Sequence, residues 1–582
     1  MQTRWRLRPH DQGRIGALSR EVGVSSLVAQ ILLNRGIESA DQAKAFLEAK
    51  LNQLHDPELL PGATEAAARI VSAVREKRRI VVYGDYDVDG VCGTSILWSC
   101  LRLAGAEDAG YYIPHRVDEG YGVNGEALRR IVEEMKAEVI VTVDCGISAV
   151  NEARLARELG VELIVTDHHT PGDELPDADV IVHPRIHDVP YPCPDLCGAA
   201  VAFKLAWQIC KGFGDGKKAS PHLRDFLVRS LGLVALATIA DVVPLVGENR
   251  VLVRHGLKGI DADPTTGMRA LMEVSGCLNK KLTTGTVGFG LAPRINAAGR
   301  LERAMRAVEM LTTNDMEEAR GIAEELNQCN LRRQEIEQTI VKEAHELVHA
   351  AGEIGARGAI VVGKEGWHAG VIGIVASRLA ETYHRPTIVV ALSGELGQGS
   401  ARSVSGFNLY EAIKACSEGL TGFGGHSAAA GLKLPSALFP SFAERFDQHC
   451  RSALTEENKE RMLSVDAEVL LGTLSLRIVE ELERLEPYGI GNPRPLLVAN
   501  GVRVVGEPKL VGERKNHVQI RLGQGDVVVK GIAWNMAEKF KGVTPGSLIS
   551  IAFQPGVNEW NGRREVQVEL RDFKLEDGEG GV

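Results

Sequence analysis

Acidic residues and histidines follow two apolar, strand-like runs of this chain, in a spacing that suits metal-dependent chemistry. The first group is Asp85, Asp87 and Asp89 in Ile80-Val-Val-Tyr-Gly-Asp-Tyr-Asp-Val-Asp-Gly90, and the second is Asp167-His168-His169 after Leu163-Ile-Val-Thr166. Carboxylates this close repel one another, and a fold keeps such a cluster mainly where a cation neutralises it. Carboxylate and imidazole ligands together suit Mn²⁺, Mg²⁺ or Zn²⁺ better than Ca²⁺. The two motifs therefore predict a metal-dependent enzyme that acts on a phosphoester.

The Asp-x-Asp-x-Asp-Gly pattern has three other interpretations. It resembles the start of an EF-hand loop, but the twelfth position, counted from Asp85, should then be Glu and is Ile96. An Asp-x-Asp nucleophile at a strand end is the second, and it leaves the two histidines unexplained. A solvated acidic turn is the third, and the second motif, placed after a strand in the same way, disfavours it.

The segments around these motifs alternate between strand and helix patterns, which favours a parallel α/β sheet. Strand patterns cover 80–84, 111–114, 139–144, 163–167 and 179–184, and helical patterns cover 92–104, 125–136 and 148–159. Ligands of such sheets bind at the carboxyl ends of the strands. Asp144, in Val-Thr-Val-Asp-Cys-Gly, lies at such an end, and Asp241 follows an apolar helix over 231–240. Both are therefore added to the candidate metal ligands.

Further motifs make the chain resemble the RecJ-type exonucleases of the DHH phosphoesterase superfamily over about residues 60–576. Besides the two acidic motifs they are Glu119-Gly-Tyr-Gly122, Leu291-Ala-Pro-Arg-Ile-Asn-Ala-Ala-Gly-Arg300, Gly366-Trp-His-Ala-Gly-Val-Ile-Gly-Ile-Val-Ala-Ser-Arg378, Gly399-Ser-Ala-Arg402, Gly424-Gly-His-Ser-Ala-Ala-Ala-Gly431 and Pro487-Tyr-Gly-Ile-Gly-Asn-Pro493. Six motifs in the family order make the match specific. One departure is Tyr83, which stands where pyrophosphatase-like relatives carry a metal-binding histidine.

The sequence patterns and the resemblance together predict an α/β fold with several domains. The expected parts are an N-terminal helical segment over 1–55, a DHH phosphoesterase domain over 56–313, a connecting helix over 314–351, a second α/β, DHH-associated domain over 352–455 and a C-terminal OB-fold β-barrel that binds nucleic acid over 465–576. Asn314 is expected to cap the long helical pattern of the connecting segment, and five short strand patterns between 496 and 574 suit a small barrel.

The resemblance also implies roles for individual residues around two divalent cations, Mn²⁺ or Mg²⁺. Asp87 is expected to bind one cation, Asp89, His168 and Asp241 the other, Asp144 both, and Asp85 is a possible extra ligand. His169 and His426 are expected to take part in catalysis. Contacts to DNA or its 5′-phosphate are expected from Arg116, Arg294, Asn296, Arg300, Ser400, Arg402, Gly424, Gly425 and His426. Guanidinium groups suit this task because they bind phosphate oxygens in a bidentate way.

The function implied by the resemblance is a 5′→3′ exonuclease on single-stranded DNA that releases 5′-mononucleotides in DNA repair and recombination. A single-strand-binding protein and a DNA helicase are the implied partners, and a monomer is expected. One alternative is a DHH-type phosphodiesterase of short RNA oligonucleotides or cyclic dinucleotides, which the additional barrel argues against. The other is a non-catalytic single-strand-binding module, although every matched metal position is filled.

Composition agrees with a cytoplasmic enzyme better than with a general DNA-binding protein. The 582 residues are 44% hydrophobic and carry a net charge of −10, whereas non-specific duplex binders are usually basic. Basic residues are concentrated locally, with 12 Lys and Arg against 8 Asp and Glu over 501–575, as suits a groove for one strand. No run of 18 apolar residues is present, so no membrane span is expected. The start of the sequence lacks the apolar stretch of a signal peptide, and the cysteines lack a disulfide-like spacing, as expected in the cytoplasm.

Overall fold

The structure is a computed structural model that describes residues 3–116, 118–186, 191–560 and 562–576. The chain divides into two compact units. The first is built from Asp56–Asp241 and His255–Arg461. The second gathers the described parts of three segments, 2–55, 242–254 and 462–582, and is therefore assembled from stretches far apart in the sequence.

A five-stranded parallel sheet forms the framework of the first half of the first unit. Its strands in spatial order are Gly110–Tyr112, Ile80–Tyr83, Val139–Thr142, Glu162–Thr166 and Val180–Val182. The two strands at positions two and three are buried at every residue, which is typical of parallel sheets with helices on both faces. The predicted parallel sheet is therefore confirmed, with strand bounds within two residues of the patterns.

Helices flank and follow this sheet. In chain order they are Ala63–Arg75, Val88–Leu103, Gly125–Glu133, Val150–Glu158, Gly198–Gly212, Pro221–Ala240, Gly247–Ala262, Thr266–Val274, Thr284–Thr286, Ala292–Leu301 and Met305–Thr312. A π-helical turn, Val287–Leu291, leads directly into Ala292–Leu301. The helices Val88–Leu103 and Gly198–Gly212 pack against each other and are almost entirely buried.

A single helix of 35 residues, Met316–Ala350, leads to the second sheet of this unit. Its N-cap is Asp315, whose side chain accepts hydrogen bonds from the next amides, and not the neighbouring Asn314. The sheet has the order Gly422–Gly425, Ala429–Pro435, Leu396–Arg402, Thr387–Ser393 and Ile360–Glu365, with only the last pair parallel. Its helices are Ile372–Tyr383, Leu409–Ala415, Phe439–Ala453 and Glu456–Lys459.

The second unit is rich in strands. Its main sheet has the order Ala467–Glu468, Leu497–Val504, Leu548–Trp560, Arg563–Leu575, Val527–Ala533, His517–Gln524 and Lys509–Val511. Leu497–Val504 also pairs with His517–Gln524 at Arg503 and Val504. A small parallel pair joins Arg4–Leu7 to Met462–Val465, and the helices are Gln12–Val22, Ser26–Asn34, Ala40–Glu48 and Leu476–Glu483.

The N-terminal helices of the second unit share a core with its C-terminal segment. Ile31 and Leu32 pack in one cluster with Leu482 and Leu485. Arg250, only 1% exposed, lies among them with its guanidinium 3.8 Å from the centre of the Phe46 ring. Its N–H groups donate to five backbone carbonyls, those of residues 46, 484, 485, 486 and 487. The N–H groups of this buried charge are thereby hydrogen-bonded to backbone oxygens.

Among the described residues, no single helix is long and apolar enough to cross a membrane. One pair, Gln12–Val22 with Ser26–Asn34, meets the length and composition requirement only when both helices are taken together, and they are bent by 111°.

Candidate metal centre and phosphate-binding groups

The loop after the strand Ile80–Tyr83 carries the three alternating carboxylates and begins the helix Val88–Leu103. Asp87 is the N-cap of this helix, because its Oδ1 accepts hydrogen bonds from the amides of Asp89 at 2.8 Å and Gly90 at 3.3 Å. A β-carbon at Gly90 would lie 2.5 Å from a carbonyl oxygen of the same loop, so the turn requires glycine. A strand precedes the motif, which excludes the helix–loop–helix of an EF-hand.

Asp89 is fixed by the N-terminus of a second helix. Its two carboxylate oxygens accept hydrogen bonds from the amides of Gly198 at 2.6 Å and Ala199 at 2.7 Å, at the start of Gly198–Gly212. Helix N-termini attract negative charge in this way. A β-carbon at Gly198 would also lie 2.6 Å from Oδ1 of Asp144. The glycine therefore lets two acidic side chains approach the same helix end.

Asp144 combines a strained backbone with an unpaired oxygen. It follows the strand Val139–Thr142 with φ at 64°, a left-handed conformation that costs a non-glycine residue about 1–3 kcal/mol. Its amide donates to the carbonyl of Thr166 at 3.1 Å. Its Oδ1 is buried and has no hydrogen-bond partner among the described residues. A buried acceptor of this kind indicates a ligand.

Asp167 anchors the Asp-His-His segment and lies outside the cluster of possible metal ligands. Its Oδ1 accepts hydrogen bonds from the amides of His168 at 2.7 Å and His169 at 3.2 Å and from His169 Nδ1 at 2.8 Å, and its Oδ2 accepts from the amide of Ile147 at 3.0 Å. Burial alone would raise the pKa of Asp167, but the hydrogen bond from His169 lowers it to about 2. The same bond outweighs burial and raises the pKa of His169 to about 9.

The imidazole of His168 faces three carboxylates. Its Nε2 lies 3.1 Å from Oδ1 of Asp144 and 3.7 Å from Oδ2 of both Asp89 and Asp241. Burial lowers the pKa of His168, and its Nε2 has no hydrogen-bond partner among the described residues. A neutral ring with its proton on Nδ1 would direct a lone pair toward these oxygens, which is repulsive unless a cation lies between them. Asp241 is the C-cap of the helix Pro221–Ala240.

Burial and mutual repulsion make negative charge unfavourable at Asp85, Asp87, Asp144 and Asp241. Burial first, and then repulsion from Asp87, raises the pKa of Asp85 well above its usual value. The same two causes raise the pKa of Asp87 and Asp144, with Asp89 as the nearest source of repulsion, and raise that of Asp241 to about 8. These shifts, with the unpaired atoms of Asp85, Asp144 and His168, fit a site for divalent cations.

Possible ligand atoms converge in three overlapping groups, each within 4.8 Å. The groups are Asp85 with Asp87 and Asp144, Asp89 with His168 and Asp241, and Asp144 with His168 and His169. All six metal ligands expected from the sequence are thus brought together, and Asp144 belongs to two groups. Tyr83 lies apart from them, since it is fully buried and its hydroxyl donates to the carbonyl of Gly122 at 3.0 Å.

Three guanidinium groups and a serine hydroxyl lie together in the same unit. Nη1 of Arg402 donates to Ser400 Oγ at 3.2 Å, and Nη1 of Arg300 donates to the carbonyl of Gly370 at 2.8 Å. Burial and then the nearby Arg116 lower the pKa of Arg300 to about 10, and they also lower that of Arg402. A β-carbon at Gly373 would lie 3.1 Å from Ser400 Oγ, so this glycine keeps the space open. Such a concentration of positive charge suits an anion.

The remaining residues expected to contact DNA are placed in different ways. Asn296 Oδ1 accepts the amide of Val88 at 3.1 Å and so supports the acidic loop. The guanidinium of Arg294 bonds to the carbonyls of residues 274 and 290 and to Asn327, so it braces the π-helical turn. Gly424 and Gly425 lie on an edge strand, and His426 follows them with an exposed side chain.

The sequence reasoning did not assign a role to Asp167, Gly198 or Ala199. Asp167 belongs to the motif that indicated the site, so the residue itself could have been noticed. Its hydrogen bonds to the backbone and to the His169 ring were not predictable. Gly198 and Ala199 act through their backbone amides, and residue identity does not reveal such contacts. The glycine at 198 was the one available signal.

Family models match three parts of the chain. The model of the DHH family N-terminal domain matches residues 79–238, that of the DHHA1 domain 356–452, and that of the RecJ OB domain 465–572. Together with the sheets described above they confirm the expected fold class, a parallel DHH domain, a second α/β domain after a long helix and an OB domain.

Relatives resemble nearly the whole chain. The single-stranded-DNA-specific exonuclease RecJ of Bacillus subtilis is 39% identical over 99% of this chain and 71% of its own. The crystal structure of RecJ from Thermus thermophilus in complex with Mn²⁺ has a TM-score of 0.83 and 33% identity over 100% of this chain and 81% of its own. The corresponding Mg²⁺ complex gives a TM-score of 0.77 and 31% identity over 100% and 80%.

Proposed function

The chain belongs to the RecJ family, and on that premise we propose that it is a metal-dependent exonuclease acting on single-stranded DNA. It degrades the strand in the 5′→3′ direction and releases 5′-mononucleotides, in DNA repair and recombination. The observation that carries this proposal is the position of Asp144, which belongs to one ligand group with Asp85 and Asp87 and to another with His168, because a shared carboxylate is what two neighbouring cations require.

Asp85, Asp87 and Asp144 would hold one divalent cation, and Asp89, His168 and Asp241 the other. Asp144 would serve both, since its Oδ1 lies 3.1 Å from Nε2 of His168. Mn²⁺ and Mg²⁺ are the candidates, since the related structures contain them. When bound, such a pair of cations lowers the pKa of water and stabilises the attacking and leaving oxygens of a phosphodiester displacement.

The side chains of this protein then position the strand and its charge. Asp167 holds the main chain and ring of His169. The second imidazole nitrogen, 3.3 Å from the hydroxyl of Tyr121, can donate to an oxygen of the scissile phosphate. The amides of Gly198 and Ala199 fix Asp89 against rotation. His426 and the glycines before it approach the phosphate chain from the second sheet.

The direction of degradation follows from the guanidinium groups. Arg116, Arg300, Ser400 and Arg402 bind the terminal 5′-phosphate, which carries more negative charge than an internal diester. A strand held at this end presents its first internucleotide phosphate to the cluster of carboxylates. The 3′-oxygen of the terminal nucleotide leaves, and the shortened strand carries a new 5′-phosphate.

The strand-rich second unit supplies affinity for longer DNA. Trp534 is 50% exposed and packs edge-on against His517, which leaves an aromatic face for a base. A cytoplasmic monomer that works beside a single-strand-binding protein and a helicase suits an enzyme that needs unpaired strands. A phosphodiesterase of short RNA or cyclic dinucleotides would gain nothing from this unit.

Digestion of one single strand, labelled separately at its two ends, tests the proposal. With Mn²⁺ or Mg²⁺, the 5′ label should appear at once as mononucleotide, while the 3′ label should pass through progressively shorter strands. A chelator should stop both reactions. Early mononucleotide from the 3′ label, or cleavage that survives the chelator, would contradict the proposed polarity or the metal requirement respectively.

A further inference from the structure

The carbonyl of His169 is held by a histidine from the neighbouring strand. His183 follows the strand Val180–Val182 and is fully buried, with 0% exposure. Its Nε2 lies 2.8 Å from the carbonyl oxygen of His169. Because a carbonyl oxygen only accepts, the imidazole must donate this hydrogen bond.

The other ring nitrogen of His183 fixes its tautomer. The backbone amide of Arg185 donates to Nδ1 at 3.0 Å, so the proton of the neutral ring is on Nε2. Burial lowers the pKa of His183, in agreement with a neutral ring. The side chain of Arg185 links this region to residues 194 and 195, donating to the carbonyl of Pro194 at 2.9 Å and to Asp195 at 2.6 Å. These residues shortly precede the amides that hold Asp89.

The segment 167–169 is consequently fixed from two sides. The carboxylate of Asp167 accepts hydrogen bonds from the amides of His168 and His169, and the ring of His183 donates one to the carbonyl of His169. A segment held at its amides alone can still shift its end, and with it the Cα atom of His169 that carries the second imidazole. A buried donor from the adjacent strand removes that freedom.

We propose that His183 is a positioning residue of the metal centre, which acts through the His169 carbonyl to hold the imidazoles of His168 and His169 in place. This inference rests on the proposed metal-dependent function. His183 is fully buried and belongs to none of the three candidate ligand groups of the described residues. Partners of this kind behind metal ligands typically contribute about tenfold to hundredfold in metal affinity or activity.

The test measures Mn²⁺ binding by titration calorimetry and cleavage of a 5′-phosphorylated single strand in parallel. His183→Leu fills the space but cannot donate, and it should bind Mn²⁺ about tenfold to hundredfold more weakly. His183→Gln carries an amide donor and should recover most of the affinity, whereas His183→Asn is too short to reach the carbonyl and should resemble His183→Leu. If the leucine variant does not fold, the glutamine and asparagine variants decide.

A matched control separates positioning from general stability. His384 also bonds a backbone carbonyl through Nε2, that of Glu460 at 3.1 Å, away from the carboxylate cluster. His384→Leu should lower the melting temperature without weakening Mn²⁺ binding. Wild-type affinity in His183→Leu, or equal affinities in His183→Gln and His183→Asn, would overturn the inference. Failure of the wild type to bind Mn²⁺ would instead overturn the proposed function.

Discussion

Replacing Arg402 by alanine should reduce the preference of the enzyme for a 5′-phosphate. Arg402 is positioned by hydrogen bonds from Nε to Ser377 Oγ at 3.1 Å and from Nη1 to Ser400 Oγ and the Ala401 carbonyl. Its Nη2 makes no hydrogen bond within the described residues, and it borders the space left open by Gly373. This nitrogen is therefore available to a terminal phosphate.

The size of the effect follows from this single available nitrogen. A hydrogen bond to a charged group contributes about 1.5–3 kcal/mol. One such bond lost in Arg402→Ala corresponds to a decrease of roughly 12- to 150-fold in kcat/KM. The decrease should appear with 5′-phosphorylated strands and be small with 5′-hydroxyl strands, because the latter never form the bond.

The assay compares initial rates on both strands at substrate concentrations well below KM. Arg402→Lys keeps the charge but loses the planar fork, so it should give an intermediate preference. Arg303→Ala is the matched control, since it removes an exposed arginine three residues after Arg300 and changes the net charge equally. The Mn²⁺ concentration for half-maximal activity should be the same in all four proteins.

An equal loss on both strands would refute this reasoning. It would show that Arg402 holds the strand as a whole and that the 5′ polarity has another origin. A shifted Mn²⁺ requirement would mean that the substitution disturbs the carboxylate cluster.

Three further outcomes are expected. Asp144→Ala should abolish Mn²⁺-dependent cleavage while the protein stays folded, and near-normal activity would contradict the two-cation assignment. In chelator, the free energy of unfolding should fall as the pH rises from about 4 to about 8, because the folded-state pKa of Asp241, raised to about 8, lies above its unfolded-state value. The contribution of Asp241 to stability is complete below the unfolded-state pKa and is lost as the pH rises through the folded-state pKa. Calorimetry should find a flatter dependence of stability on pH for Asp241→Asn. Trp534→Ala should weaken binding of long strands by roughly 5- to 150-fold, as expected for one stacked base, with short 5′-phosphorylated oligonucleotides cleaved as before; equal binding of long strands would exclude Trp534 from the DNA path.

Regular elements and the main acidic residues were predictable because both follow from local patterns. β-branched runs gave the strands that precede Asp85 and Asp167, and the carboxyl ends of parallel strands necessarily meet at one edge of the sheet. The position of Asp144 after such a strand was sufficient to place it in the same cluster. Its left-handed backbone conformation was not predictable, since an aspartate in the sequence does not indicate a φ of 64°.

Contacts between distant segments could not be predicted in the same way. The amides that hold Asp89 come from residues 198 and 199, and the donor to the His169 carbonyl comes from residue 183. Backbone groups are identical in every residue, so only the folded chain shows which amide meets which carboxylate. Arg294 is a related case, because its hydrogen bond to the carbonyl of Gly290 was not predictable, and its expected contact with DNA stays a prediction.

The second unit is assembled from segments that the ribosome synthesises early and late. The amide of Ser25 donates to Glu481 across 456 residues, and Ile31 and Leu32 share their core with Leu482 and Leu485. At about 5–20 residues per second, the early helices wait roughly 20–90 s for these partners. During that time their apolar faces are uncovered at the ribosome. Yield in cells should therefore respond to translation speed and chaperone supply more than the stability of the finished protein would suggest.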